Sequence, residues 1–269
     1  MLRLKLVITR AQAEAGTWSQ ALMSAGHEVL SLPLLAFGPP PRPMALAQAW
    51  QQASQYHAAM FVSGQAVRSF FAAQPPGQVW PGRCWATGPG TRSVLLSVGV
   101  DATQIDMPAP DAAQLDSEAL WDAVSHQVMP LNGVSPGAVL LVRGSDEHMA
   151  KDDSGQGRGR DWLAQRLHGS GVVVDYLVAY QRLAPVWSQD QQNSAAQAAA
   201  NGAVWLFSSS QALAHLHGLM PLQKWAHARA LATHPRIATA LRGAGWGGVS
   251  VCKGELAAVL HALENISLM

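Results

Sequence analysis

The residues with the clearest chemical potential come in pairs. The phrase FVSGQAV at 61–67 returns as FSSSQAL at 207–213, so that Phe61, Ser63, Gln65 and Ala66 are matched by Phe207, Ser209, Gln211 and Ala212, each 146 positions on. A second pair, ATGPGTRSVLLSVG at 86–99 and ATHPRIATALRGAG at 232–245, keeps that offset and places Thr87 and Thr233 just before Pro89 and Pro235. In each phrase an apolar run gives way to hydroxyl residues and then to a helix-forming stretch. A helix N-terminus leaves its first amides without partners in the helix and gathers positive partial charge there. Four such turns can hold a large anion through amides and hydroxyls, without a formal charge. Helix capping alone would also put Ser and Thr at these places. The number and pairing of the turns, rather than any one of them, point to a ligand.

Alternating strands and helices must position these turns. The pattern predicts a strand over Leu4–Ile8, a helix over Gln12–Ala25 closed by Gly26, and a strand in HEVLSLPLL. FGPPPRP at 37–43 is too proline-rich for regular structure and reads as a crossing between domains. Beyond it are expected a helix near Met44–Ser54, strand AAMFVS, a helix from Gly64, strand RCWATG, a helix from Pro89, a short strand near Gly99–Ala102, and a helix near Asp116–Val128 capped by Ser117. After a loop at 130–137 come strand AVLLVRG, the helix RDWLAQRLHGSG, and a long extended run over 172–185, the second crossing. The remainder reads as the helix DQQNSAAQAAANG, strand AVWLFS, a helix from Ser210, strand ARALATH, a helix from Pro235, strand GGVSVC, and the closing helix ELAAVLHALENI. Lys151–Gly159, polar and rich in glycine, reads as a mobile loop. This alternation predicts an α/β fold with parallel sheets, whose ligands bind beyond the carboxyl ends of the strands. The first strand–helix–strand also matches residues 140–180, through Leu22/Leu167, Gly26/Gly171 and Val29/Val174, so the domain reads as duplicated.

Composition narrows the classes. A chain of 269 residues suits two domains better than one. With 49% apolar and 13% charged residues it has ample core material. A net charge of +1 argues against binding nucleic acid or a membrane surface by bulk charge. The 14 arginines against 4 lysines favour planar recognition of carboxylates, though a GC-rich genome gives the same bias. Cys84 and Cys252, both in apolar runs, read as buried free thiols of a reducing compartment. The apolar run in MLRLKLVITR is too short for an export signal, and no stretch is long enough to span a membrane, so a cytoplasmic protein is expected. There is no GxGxxG or GxxxxGK[ST] phosphate loop and no GxSxG elbow. His215 and His217 lack partners at zinc spacing, so no metal is expected. Catalysis, if present, would work by positioning and hydrogen bonds.

The ordered phrases VITR, GHEVLSLPLL, FVSGQAV, ATGPGT, LLVRG with GRDWLAQRLHGSG, VAYQR, WLFSSSQAL and ATHPRIATALRGAG resemble the uroporphyrinogen-III synthase family, over about residues 4–262. The resemblance implies two similar parallel-sheet α/β domains joined by a two-stranded β linker, with the N-terminal βαβ packed in the C-terminal domain. It implies domains at 1–35 plus 184–269 and at 38–178, with linker strands at 33–38 and 176–185. The implied reaction converts hydroxymethylbilane, a linear tetrapyrrole rich in carboxylates, to uroporphyrinogen III with loss of water and inversion of ring D through a spiro intermediate. It takes place by positioning in a cleft between the domains and needs no cofactor. Tyr180 falls on the tyrosine of the family's linker-end motif and is the candidate catalytic residue, a phenol able to hydrogen-bond the departing hydroxyl; packing of the linker is its other role. Ser63, Thr87, Thr91, Ser208, Ser209 and Thr233 are candidate substrate-binding residues on turns facing the cleft, and Arg10, Arg143 and Arg160 are candidate carboxylate partners. Arg236 and Ile237 stand where some members have paired threonines, and Lys151–Gly159 is longer than the usual connection.

The expected protein is thus a cytoplasmic, monomeric lyase acting on a small molecule. A two-lobed cytoplasmic small-molecule binding or sensor protein is the competing reading. An α/β glycosyltransferase would want a nucleotide-sugar site that the sequence does not offer.

Overall fold

The computed structural model describes residues 3–109, 116–128, 137–146 and 160–266. Along the chain run β1 (Lys5–Ile8), α1 (Gln12–Ser24), β2 (Glu28–Ser31), β3 (Ala36–Gly38), α2 (Pro43–Gln51), β4 (Tyr56–Phe61), α3 (Gly64–Phe71), β5 (Arg83–Ala86) and α4 (Pro89–Ser97). Then come β6 (Ile105–Asp106), α5 (Ser117–Val124), β7 (Ala138–Asp146), α6 (Arg160–Gly169) and β8 (Val174–Leu183). The chain closes with α7 (Gln189–Ala200), β9 (Val204–Phe207), α8 (Ser210–Leu219), β10 (Arg229–Ala232), α9 (Pro235–Gly243), β11 (Gly248–Val251) and α10 (Leu256–Ile266). Two compact units result, one of Met1–Phe37 with Leu183–Met269 and one of Gly38–Arg182.

The first unit holds a five-stranded sheet in the order β11-β10-β9-β1-β2. Its strands pair in parallel, β1 lying between β2 and β9. The N-terminal βαβ is therefore part of the C-terminal sheet. Strand periodicity splits the core between two faces. Trp205 and Phe207 of β9 enter one cluster with Val7, Ile237 and Trp246, while Val204 and Leu206 enter the other with Leu6, Ile8 and Leu22. The first cluster is built on indoles: Trp225 and Trp246 stack with centroids 4.8 Å apart, and Trp205 meets both edge-on. Such rings supply large apolar area and geometric preference together.

The second unit holds a six-stranded sheet in the order β3-β8-β7-β4-β5-β6. The pairings from β8 through β6 are parallel. Strands buried on both faces read as continuous apolar runs, and β4 is buried at every position but His57. One face carries Met60, Trp85, Leu141 and Leu163. Elsewhere Phe61 packs edge-on against Phe70, which stacks on Trp50 at 4.9 Å. The duplicated positions share backbone geometry: Gly26 and Gly171 follow α1 and α6 at φ 89° and 78°, and Gly99 and Gly245 follow α4 and α9 at 90° and 80°. A helix stop in the left-handed region favours glycine.

The details depart from sequence expectation at several points. The short strand expected near Gly99–Ala102 lies at Ile105–Asp106, where it pairs with Cys84 and Trp85. Its place is taken by a 3-10 turn over Ala102–Gln104, because the Asp101 carboxylate accepts from the Thr103 amide at 2.8 Å. Ser117, expected as a cap, is the first helical residue of α5; Asp116 caps instead, accepting from the Glu118 and Ala119 amides at 3.1 and 3.0 Å. A carboxylate that serves two amides beside a helix dipole is the better cap. The proline-rich stretch still accommodates β3 and the start of α2, since Pro43 occupies a position whose amide has no helical partner. Cys84 is buried as expected, whereas Cys252 is only half-buried. Most of the expected loop at 130–137 and all of Lys151–Gly159 lie outside the described residues.

Candidate functional site

All strands of a parallel sheet end on the same edge, so the predicted turns of each unit gather there. In the second unit β4 stops at Phe61 and Ser63 caps α3, its hydroxyl accepting from the Ala66 amide at 3.2 Å. Across the sheet, the β7–β8 ladder carries a register shift: Arg143 pairs with Val178, but Gly144 pairs with Tyr180. The extra residue, Ala179, re-aims the rest of β8, as bulges near functional sites commonly do. Tyr180 then lies over Gly144 so closely that a Cβ there would stand 2.6 and 2.9 Å from Cε2 and Cε1 of its ring. The phenol is buried, and its oxygen lies 3.2 Å from Ser63 Oγ.

Two further groups complete this cluster. Arg182, two residues after Tyr180 and so on the same strand face, donates from Nε to Asp146 Oδ1 at 2.7 Å. Burial works against the charge of Arg182, yet the ion pair with Asp146 holds its pKa above the ordinary arginine value. It is a fixed cation. Asp146 pairs with Arg182 in the same ladder. A phenol, a hydroxyl, a guanidinium and a carboxylate thus meet where β4, β7 and β8 end.

The other expected residues are spread over both units. Thr87 and Thr91 lie 3.4 Å apart, oxygen to oxygen, and Thr91 is buried. The cap of α4 is Gly88, with no side-chain hydrogen bond, so the first amides of α4 have no capping hydroxyl. In the first unit Ser209 caps α8, accepting from the Gln211 amide at 3.2 Å, with half-buried Ser208 beside it. Thr233 is not a cap: its amide donates to Phe207 O at 2.9 Å, and the following His234 caps α9, its Nδ1 accepting from the Arg236 amide at 3.0 Å.

The arginines divide. Arg10 already meets Glu14 at 3.0 Å and lies over the Trp18 ring at 4.0 Å from its centroid. Arg143 sits within β7 rather than at its end, with its guanidinium 5.4 Å from the Tyr176 centroid and its buried Nε lacking a hydrogen-bond partner among the described residues. Arg160 opens α6, and its side chain lies outside the described residues. His215 Nδ1 is 2.6 Å from Leu34 O, and among the described residues no group of three or more His, Cys, Asp or Glu could hold a metal ion. The cluster residues that sequence reasoning did not name are Arg182 and Asp146. Alternation in AYQR carries the signal for the first, since Tyr180 and Arg182 must share a face.

Comparison with known proteins decides what this edge belongs to. The family model described as Uroporphyrinogen-III synthase HemD matches residues 16–256. The chain belongs to the uroporphyrinogen-III synthase family. It is, with that family, a cyclising lyase of porphyrin and heme biosynthesis. Among solved structures it resembles uroporphyrinogen-III synthetase from Helicobacter pylori, at 14% identity and a TM-score of 0.61, covering 98% of this chain and 100% of that one. It also resembles a mutant uroporphyrinogen III synthase from Thermus thermophilus, at 16% identity and a TM-score of 0.51, covering 98% and 99%. At such identities the likeness is one of fold, and it covers both units. The synthase family uses a tetrapyrrole substrate, and no helix among the described residues is long and apolar enough to cross a membrane.

Proposed function

We propose that this chain cyclises hydroxymethylbilane to uroporphyrinogen III, with loss of water and inversion of ring D through a spiro intermediate, and that Tyr180 is the hydrogen-bond donor to the departing hydroxyl. The observation that carries the proposal is the cluster of Tyr180, Ser63, Arg182 and Asp146 at one carboxyl edge, in a chain of this family. The electron-rich pyrrole pushes out its own hydroxyl, and the phenol gives that oxygen a proton or a strong hydrogen bond as it leaves. The substituted carbon of ring D then attacks, and rearrangement of the spiro centre delivers the inverted ring. A phenol carries one O–H and can act as that donor. The uncatalysed competitor is direct closure without inversion. Holding the chain in the geometry of the first path can supply several kcal/mol, on the order of those measured for well-oriented reactants.

In this proposal the amides opening α3, α4, α8 and α9, with Ser63, Thr87, Thr91, Ser208, Ser209 and Thr233, take up substrate carboxylates. Arg143 and Arg160 assist, whereas Arg10 must first give up its Glu14 partner. β3 and the end of β8 act as a two-stranded linker. The enzyme works as a cytoplasmic monomer without a cofactor, a reading supported by its two free thiols, which suit a reducing compartment.

Supplying hydroxymethylbilane and measuring the ratio of type III to type I uroporphyrinogen after oxidation tests the proposal. Product richer in type III than a protein-free control is expected. An unenriched product, with binding but no turnover, would favour the two-lobed binding protein. Tyr180→Phe should lose about 10²-fold or more in kcat, as removal of one preorganised donor does elsewhere. Unchanged turnover would reduce Tyr180 to packing over Gly144.

A further inference from the structure

Two polar atoms near the end of β7 are sealed from solvent and have no hydrogen-bond partner among the described residues: Arg143 Nε and Ser145 Oγ. Side chains of a strand alternate between its faces, so these two share a face, with Cα atoms about 6.6 Å apart, while Gly144 and Asp146 point the other way. Their face continues that of Leu141, which enters the apolar cluster with Met60, Trp85 and Leu163. Tyr180, paired with Gly144 in the ladder, belongs to the opposite face.

Neither group is explained by the fold. A buried polar atom without a partner costs the folded state its full desolvation penalty, so each one calls for an occupant or a role. Arg143 is half-buried and forms no ion pair among the described residues. Its guanidinium lies over the Tyr176 ring, which attracts a cation but supplies no counter-charge. Held by a ring face rather than by fixed hydrogen bonds, it is free to turn toward an arriving anion. A guanidinium offers donors only, and a serine hydroxyl can donate as well. The pair therefore lacks an acceptor, and beside a cation the strongest acceptor is an anionic oxygen. The place is the carboxyl end of a parallel strand, where ligands of α/β sheets bind.

We propose that Arg143 and Ser145 together bind one carboxylate of the substrate, Arg143 through its guanidinium and Ser145 through its hydroxyl, which makes Ser145 a further binding residue. The inference rests on the reading of this chain as acting on hydroxymethylbilane, and adds to it a contact on the sheet face opposite Tyr180. The free protein carries two unpaired polar atoms, and the substrate supplies their acceptor on docking. A ligand without that carboxylate leaves both unpaired, which is how a polar site rejects a close analogue. Stability of the free protein and affinity for substrate are thus opposed at Ser145.

The test uses the full chain and its variants Ser145→Ala, Ser145→Thr, Arg143→Met and Arg143→Met with Ser145→Ala, each measured for melting temperature without substrate and for kcat, KM and product isomer ratio with hydroxymethylbilane. Ser145→Ala should raise KM by about 10-fold, the loss expected of a hydrogen bond to a charged group. Its effect on kcat should be much smaller, because the contact is made in ground and transition states alike. Its Tm should equal or exceed that of the unaltered chain, since an unpaired buried oxygen is removed. Ser145→Thr, which keeps the hydroxyl, should restore most of the KM. Arg143→Met should raise KM further than Ser145→Ala, and the double variant should fall short of the product of the two single effects, because both groups serve one carboxylate. A lowered Tm for Ser145→Ala would show that the hydroxyl is already paired inside the free protein, and an unchanged KM that substrate does not use it; either result overturns the inference. Single effects that multiply in the double variant would overturn the shared carboxylate. If the unaltered chain gives no excess of type III product, the proposed activity fails; if it gives that excess while the Ser145→Ala result is adverse, the activity stands and this contact alone is wrong. Should Arg143→Met fail to fold, Arg143→Lys with and without Ser145→Ala carries the same comparison.

Discussion

Gly144→Ala perturbs the site by one carbon. Gly144 is not among the glycines with positive φ, so its backbone accepts alanine. On that ground alone the change would stabilise the fold by about 0.4–1 kcal/mol, through the unfolded chain. The new Cβ, however, would stand 2.6 and 2.9 Å from Cε2 and Cε1 of Tyr180, inside any ordinary carbon contact. The ring is buried and cannot simply swing into water. Overpacking of this kind costs about 1–3 kcal/mol, and loss of the 3.2 Å contact to Ser63 adds about 0.5–1.5 kcal/mol. The clash outweighs the entropic gain, for a net destabilisation of about 0.5–4 kcal/mol. Each kcal/mol lowers Tm by about 2–4 °C in a protein of roughly this size. Activity should suffer more than stability. A donor displaced by about 1 Å can cost on the order of 10²-fold in rate, and the yield of type III product should fall toward that of unassisted closure. Thermal melting followed by single-turnover conversion of hydroxymethylbilane separates the two effects. A Gly144→Ala variant with unchanged Tm and undiminished type III product would refute the placement of the ring over Gly144 and, with it, the geometry that makes Tyr180 the donor.

Two other outcomes arise from burial. His27, His57 and His217 all have pKa values lowered from the ordinary histidine value, with burial as the largest cause. The unfolded chain therefore binds more protons than the folded one as pH falls through about 6.5, so Tm should drop between pH 7 and pH 5.5, and His57→Gln and His217→Gln should flatten that slope; a Tm constant across the interval would contradict it. The Cys84 thiol is pushed up to about 12, mainly by burial, whereas Cys252 is only half-buried. A thiol-specific disulfide reagent should label Cys252 in the native protein and reach Cys84 only in denaturant; prompt labelling of both would show that β5 is open.

Most strands and helices were legible because they are written in strong local patterns. VWLF is buried at all four positions, and α3 and α8 begin immediately after Ser63 and Ser209 as the repeated phrase implies. What failed locally was competition between neighbours: Asp116 outdoes Ser117, and Asp101 converts a strand position into a turn. The site was half legible. Ser63 and Tyr180 were named, but their meeting spans 117 residues, and Arg182 finds Asp146 across 36. No spacing rule reports such contacts. They depend on the sheet order and on a one-residue slip between β7 and β8, both tertiary facts.

The position of β1 between β2 and β9 has a consequence for biogenesis. While the chain is still being made, β1 can engage its near neighbour β2, but its other flank stays bare until residues beyond 204 have emerged. By then everything from Gly38 to Arg182 is available to fold on its own. The later-completed unit thus depends on contacts of very long sequence separation, which form slowly and leave strand edges exposed in the meantime. Destabilising substitutions near Leu6–Ile8 should accordingly lower the yield of refolded or newly synthesised protein more than they lower its equilibrium stability.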